Sequence, residues 1–189
     1  MPSSLTEALA ALTRAFDRIG VDWYLFGAQA AILRGSRRMT ADVDVTVLPG
    51  AIATPLIIEA LAHEGITPRF QLDDEFVARS RVLPLSHRNG MPVDVVLGGP
   101  GLDEYFHGRS ETLDLAGTAV AVPLAVDLIC MKLLAGRPHD LQDATAMANA
   151  GDVDLGEIRT FVESMASALE DDGITAHLNA FLKQLRRPG

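Results

Sequence analysis

An alternation of acids with valines constrains the fold of this chain more than any other feature. The segment from residue 42 to residue 47 reads Asp-Val-Asp-Val-Thr-Val, and side chains on a β-strand point alternately to opposite faces. Asp42 and Asp44 therefore point one way, whereas the valines point the other. Such a strand buries its valines in a core and leaves two carboxylates on an open face.

A glycine turn lies upstream of this strand. The apolar run 23–26 ends at Gly27 and Ala28, and the following residues, 29–34, have a composition that suits a helix. This order predicts a strand, a tight turn and a helix, whose N-terminus attracts phosphate. Paired carboxylates are hard oxygen ligands that suit Mg²⁺. The simpler alternative is that Asp42 and Asp44 form only the solvated face of a half-buried strand.

The rest of the chain predicts an α+β fold. Ser4 and Glu7 form a capping box before an apolar helical pattern that ends at Gly20. Thr54 is the expected cap of another helix, with Pro55 at its first position. We expect a small mixed β-sheet flanked by helices in residues 1–122, followed by a C-terminal helical subdomain in residues 123–189.

A β-hairpin is predicted between residues 81 and 97. Two β-like runs, 81–85 and 91–97, are separated by a segment that contains Asn89-Gly90, a strong hairpin signal. Asp94 lies between two valines in the second run, where a lone charge is costly unless it has a partner. The alternative is an acid on an edge strand. Two further extended runs, 112–115 and 118–122, are expected to end the sheet.

Two motifs resemble one known family. The glycine turn followed by the pattern R-x-T-x-D-x-D, from Arg38 to Asp44, resembles the signature of nucleotidyltransferases related to DNA polymerase beta. It is most similar to the group that contains the AbiEii-type toxins of type IV toxin–antitoxin systems. Residues 132–143 resemble the K-x-x-A...R...D-x-x-D motif of the same group. The resemblance implies the nucleotidyltransferase fold, a nucleoside triphosphate donor such as ATP, and two Mg²⁺ ions.

The resemblance also implies roles for individual residues. The catalytic, metal-binding set would be Asp42, Asp44 and Asp94, and the nucleotide-binding set would be Gly27, Ala28, Arg38, Lys132 and Asp143. The sequence suggests that Lys132, in the last turn of a mostly buried helix, reaches out of the core towards triphosphate oxygens. Helix-dipole preferences alone would also account for Lys132 and Asp143. The family usually has Gly-Ser or Gly-Gly where this chain has Gly27-Ala28, so a hydroxyl is missing at the phosphates.

Composition and charge bear on the partner and the compartment. The formal net charge of -9 argues against broad electrostatic adhesion to nucleic acid or to an anionic membrane. An RNA acceptor would need a local patch of positive charge. The sequence offers Arg34, Arg37 and Arg38, or the C-terminal Arg186 and Arg187. The single cysteine excludes an intramolecular disulfide, and the N-terminus lacks the pattern of a secretory signal, so we expect a cytoplasmic protein.

Three functions remain open from the sequence. A toxin-like member would transfer nucleotides to RNA, such as a tRNA 3′ end, and would be neutralised by a cognate antitoxin protein. A rival enzyme would modify a small hydroxylated compound, as antibiotic-modifying relatives do. A third reading is an NTP-binding interaction module without turnover. The arginines favour RNA, whereas the acidic net charge and the short C-terminal region favour a small acceptor.

Overall fold

The computed structural model describes residues 3–185, so the C-terminal arginine pair lies outside the described residues. The described chain divides into two compact units. The first unit comprises residues 3–29 and Thr40–Pro123, and the second comprises Ala30–Met39 and residues 124–185. The domain boundary expected after residue 122 stays a prediction.

A five-stranded mixed sheet forms the centre of the first unit, as the fold class predicted. Its strands are β1 (Asp22–Leu25), β2 (Val43–Leu48), β3 (Ile66–Pro68), β4 (Val82–His87) and β5 (Pro92–Leu97). The strand order is β1-β2-β5-β4-β3. The β2–β5 pair is parallel, and the other neighbours are antiparallel. The antiparallel β4–β5 pair confirms the hairpin, whereas the short β3 has no clear sequence signal.

Strand β2 has the alternation expected of it. Val43, Val45 and Val47 are fully buried, whereas Asp44 lies half-buried on the opposite face. Asp42 lies one residue before the strand begins. The hydrophobic effect thus fixes the register, because a slip by one residue would move the valines to the face that Asp44 occupies.

Four helices accompany this sheet within the described part of the first unit: α1 (Ser4–Ile19), α3 (Thr54–His63), α4 (Asp74–Ser80) and α5 (Leu102–Gly108). Helix α1 ends at Gly20, whose φ of 64° is left-handed, as predicted. Its cap is Ser3, whose hydroxyl accepts a hydrogen bond from the backbone of Thr6, so the predicted capping box at Ser4 is wrong by one residue. Thr54 is likewise inside helix α3 instead of capping it.

The two extended runs expected to end the main sheet form a separate sheet. Strands β6 (Glu111–Leu115) and β7 (Thr118–Val122) pair with each other in antiparallel register. Ala116 and Gly117 join them with φ values of 53° and 82°. Positive φ at both turn residues is typical of a type I′ hairpin. Such a turn lets β6 and β7 pair with each other as a separate two-stranded sheet.

The second unit is helical in its described residues, as the fold class predicted. Its helices are α6 (Ala125–Ala135), α7 (Pro138–Ala150), α8 (Leu155–Leu169) and α9 (Asp172–Leu185). They bury Ile129, Leu133, Met147, Val162 and Phe181. Helix α2 (Gly27–Leu33) contributes its first three residues to the first unit and the others to the second. Among residues 3–185, no helix combines the length and the apolar content that a membrane crossing requires.

Candidate active site

The structure places two of the three predicted acids, Asp44 and Asp94, on one face of the main sheet, with Asp42 one residue before β2. Asp44 and Asp94 are register partners in the parallel β2–β5 pair, so their side chains lie next to each other on the same face. Burial raises the pKa of the Asp94 carboxyl, Arg69 acts in the opposite direction, and the negative charge of Asp42 raises it further. The charge of Asp42 thus acts on Asp94, and the three acids are hereafter called the carboxylate face.

Gly27 is the glycine turn that the sequence predicted, and it packs against the carboxylate face. Its φ of 66° is left-handed, and a Cβ atom added there would lie only 2.6 Å from the Asp44 Cγ. The backbone N–H of Phe26 donates to the Asp44 carbonyl oxygen at 3.0 Å, which ties the turn to β2. A side chain at position 27 would therefore displace the Asp44 carboxylate. Ala28 follows with its methyl group buried.

Two neighbours engage the carboxylate face. The Thr40 hydroxyl hydrogen-bonds an oxygen of Asp42, and the Arg69 guanidinium forms an ion pair with Asp94. The Arg69 and Asp94 side chains are 39% and 31% exposed, so water reaches this ion pair. Thr40 belongs to the R-x-T-x-D-x-D pattern. No sequence signal singles out Arg69, which lies in a segment without clear periodicity.

The carboxylate face offers the type of ligand that a divalent cation prefers, but its side chains do not converge around a single point. Three carboxylates close together repel one another, and oxygen ligands of this kind suit Mg²⁺. Within residues 3–185, no three acidic, histidine or cysteine side chains converge closely enough to hold a metal ion as they stand. Arg69 on Asp94 and Thr40 on Asp42 each engage an oxygen of the carboxylate face.

Lys132 and Asp143, two of the predicted nucleotide-binding residues, lie in a buried charge cluster of the second unit. The Lys132 Nζ atom donates to Asp140 Oδ1 at 2.9 Å and to Asp143 Oδ2 at 3.1 Å. Lys132 is 7% exposed, and the two aspartates are 0% and 1% exposed. The expectation that Lys132 reaches out of the core is therefore corrected, because two buried carboxylates hold its ammonium group. Its nucleotide-binding role stays a prediction.

Residues 30–39, which belong to the second unit, also contact the cluster. The Ser36 hydroxyl donates to Asp143 Oδ1 at 2.8 Å, and the Arg38 guanidinium lies 3.9 Å from Asp143 Oδ2. Arg137 donates to Asp140 at 2.6 Å. Burial alone would raise the pKa of Asp140, but the hydrogen bonds and positive charges of Lys132 and Arg137 together outweigh it and lower that pKa. Asp140, which the sequence did not predict as a site residue, thus stays ionised in the core.

A family model described as a nucleotidyltransferase of unknown function (DUF6036) matches residues 3–186, nearly the whole chain. A sequence comparison with curated proteins finds no match.

Several solved structures share the fold. The solution structure of the antibiotic-resistance factor ANT(2'')-Ia has a TM-score of 0.54 and 14% identity, over 97% of this chain and 94% of that chain. Its crystal structure with adenylyl-2''-tobramycin has a TM-score of 0.52 and 13% identity, over 96% and 99%. The lincomycin-bound lincosamide adenylyltransferase LnuA has a TM-score of 0.51 and 14% identity, over 79% and 99%. These likenesses confirm the nucleotidyltransferase fold that the sequence resemblance implied.

Proposed function

The chain belongs to this family of nucleotidyltransferases, and we propose that it moves a nucleoside monophosphate from a nucleoside triphosphate to an acceptor hydroxyl, with pyrophosphate as the second product. The observation that carries the proposal is the cross-strand pairing of Asp44 with Asp94 beside Asp42 and against the Gly27 turn. These residues supply the negative charge and the close backbone approach that a metal-bound triphosphate requires.

The chemistry is an in-line displacement at the α-phosphorus. The acceptor oxygen forms a bond to phosphorus, the bond from phosphorus to the bridging oxygen breaks to release pyrophosphate, and the hydroxyl proton passes to the Asp94 carboxylate. Nucleotidyltransferases generally use a divalent metal, and two Mg²⁺ ions held by Asp42, Asp44 and Asp94 would stabilise negative charge on the attacking and leaving oxygens. The glycine turn lets the triphosphate approach the main chain at Gly27 and Ala28.

The first candidate acceptor is the 3′ hydroxyl of an RNA, as in a toxin-like member. Arg34, Arg37 and Arg38 stand shortly before Asp42 in the sequence, and arginine is well suited to phosphate. A local patch of this kind compensates for the acidic net charge, which opposes general adhesion to RNA. Under this proposal the chain acts like the AbiEii-type toxins, with tRNA as acceptor and a cognate antitoxin protein as partner.

The second candidate acceptor is a small hydroxylated compound. The net charge of -9 favours it, because a small cationic molecule is attracted where RNA is repelled. Proteins of the same fold carry such ligands, namely adenylyl-2''-tobramycin in one structure and lincomycin in another. Both acceptors would use the same carboxylate face and donor.

Radiolabelled transfer distinguishes the acceptors. Each of the four α-labelled nucleoside triphosphates is incubated with the protein and Mg²⁺, either with total tRNA or with a panel of aminoglycosides and lincosamides. Label that enters tRNA supports the RNA acceptor, and label that enters a small compound supports the second candidate. The label must disappear in Asp44→Asn and persist in Asp22→Asn, a matched change at an exposed acid on β1.

Two results would contradict nucleotidyl transfer at this site. Tight triphosphate binding without transfer to any acceptor would indicate the interaction module instead. Transfer that survives in both Asp44→Asn and Asp94→Asn would place the chemistry away from the carboxylate face.

A further inference from the structure

Arg69 occupies a defined place in the sheet beside the carboxylate face. Its backbone N–H donates to the Pro84 carbonyl oxygen at 3.0 Å, and Pro84 is the register partner of Asp94 on the neighbouring strand. Pro84, Asp94 and Asp44 are successive register partners across β4, β5 and β2, and register partners point to the same face of the sheet. Arg69 is the residue after β3, and its backbone hydrogen bond places it next to this row.

The intervening proline lets the arginine reach the acid. Two strand spacings separate Arg69 from Asp94, on the order of 10 Å between backbones, and an extended arginine together with an aspartate spans that distance. Pro84 has a compact ring and is buried between them. The guanidinium ends on Asp94 Oδ1.

We propose that Arg69 is an exchangeable counter-ion of the active site, which holds Asp94 while no cation is bound and turns to the phosphates of the nucleotide once a cation takes its place. This inference rests on the proposed function, because it assumes that Asp94 binds a divalent cation. It assigns a substrate-positioning role to a residue outside the predicted site.

Electrostatics provides the driving force for the exchange. A guanidinium and a divalent cation on the same carboxylate repel each other, so cation binding expels Arg69 from Asp94. The triphosphate brings new negative charge to the same place, and the forked donors of arginine match phosphate oxygens. The ion pair is partly exposed, so the side chain can leave without opening the core.

The test measures cation binding and nucleotide binding separately. Arg69→Gln removes the charge and retains a long polar side chain, whereas Arg79→Gln makes the same change at an exposed arginine of α4. Mn²⁺ affinity is measured by electron paramagnetic resonance without nucleotide, and affinity for a non-hydrolysable triphosphate is measured by calorimetry with saturating Mn²⁺.

Opposite changes identify the exchange. Arg69→Gln should bind Mn²⁺ about fivefold more tightly and the triphosphate about tenfold more weakly than the wild type, and Arg79→Gln should change neither. A purely structural arginine would not strengthen one ligand and weaken the other. Arg69→Lys, which keeps the charge, should lie between wild type and Arg69→Gln in both measurements.

Failure of this inference differs from failure of the proposed function. If Asp44→Asn abolishes Mn²⁺ binding but Arg69→Gln matches Arg79→Gln, the cation site stands and the role of Arg69 is refuted. If the wild-type protein binds no Mn²⁺, or binds it equally after Asp44→Asn, the proposed site itself is refuted.

Discussion

Replacement of Gly27 by alanine should weaken cation binding and nucleotidyl transfer at the carboxylate face while leaving the protein folded. A left-handed φ costs an alanine roughly 1–2 kcal/mol, and this cost follows from the φ of 66° alone. The new Cβ atom would also lie 2.6 Å from the Asp44 Cγ, so the carboxylate must move by about 1 Å to regain ordinary van der Waals contact. A displacement of that size in a catalytic group costs about 100-fold in rate.

Gly20 provides a matched control for this prediction. Its φ is 64°, and an added Cβ atom would meet nothing within 4 Å. Gly20→Ala should therefore lose about the same 1–2 kcal/mol of unfolding free energy to backbone strain, with unchanged Mn²⁺ affinity and transfer rate. Gly27→Ala should lose more stability than Gly20→Ala, because its clash with Asp44 adds to the strain, and it should also lose Mn²⁺ affinity and about 100-fold in transfer rate.

The assay combines urea unfolding, Mn²⁺ titration and labelled transfer for the two variants. Equal behaviour of Gly27→Ala and Gly20→Ala in Mn²⁺ affinity and transfer would refute the reasoning, because the contact with Asp44 would then have no consequence. A double variant, Gly27→Ala with Asp44→Gly, isolates the contact further, because the Asp44 Cβ atom would itself lie 2.7 Å from the new Cβ atom. Its added loss of stability should shrink to the strain cost that Gly20→Ala shows.

Two further predictions concern the buried charge cluster of the second unit. Lys132→Met leaves Asp140 and Asp143 buried without their shared ammonium group, so urea unfolding should show a loss of about 3 kcal/mol, and a loss below about 1 kcal/mol would contradict a structural role. The pKa of Asp140 is lowered in the folded protein, so its ionisation adds stability above the ordinary carboxyl pKa of about 4, and this contribution is lost as the pH falls through the lowered value. Asp140→Asn should therefore flatten the acid side of the stability profile measured by urea unfolding, and an unchanged slope would argue against this assignment.

Local patterns in the sequence were sufficient to predict much of the structure of the first unit. The alternation around Asp44 predicted which face of β2 is buried, because burial of valines overrides other preferences. The Gly27 turn and the Asn89-Gly90 hairpin were likewise legible, since each needs a residue type that tolerates positive φ. The family resemblance, rather than any local pattern, supplied Asp94 as the acid from a neighbouring strand.

Non-local geometry was beyond the reach of the sequence. The contact of Arg69 with Asp94 depends on the register of three strands, and no periodicity marks Arg69. Lysine near a helix C-terminus is common whether it faces water or the interior, so the sequence could not reveal that Lys132 meets two buried carboxylates. The predicted N-cap of α1 was wrong by one residue, because Ser3 and Ser4 both suit that position.

The most direct test of the account is a crystal structure of the protein with Mn²⁺ and a non-hydrolysable nucleoside triphosphate, in which anomalous scattering locates the metal. The account predicts manganese within about 2.2 Å of carboxylate oxygens from Asp42, Asp44 and Asp94, with triphosphate oxygens on the same ions. Manganese bound elsewhere, or a triphosphate bound away from these three acids, would contradict it.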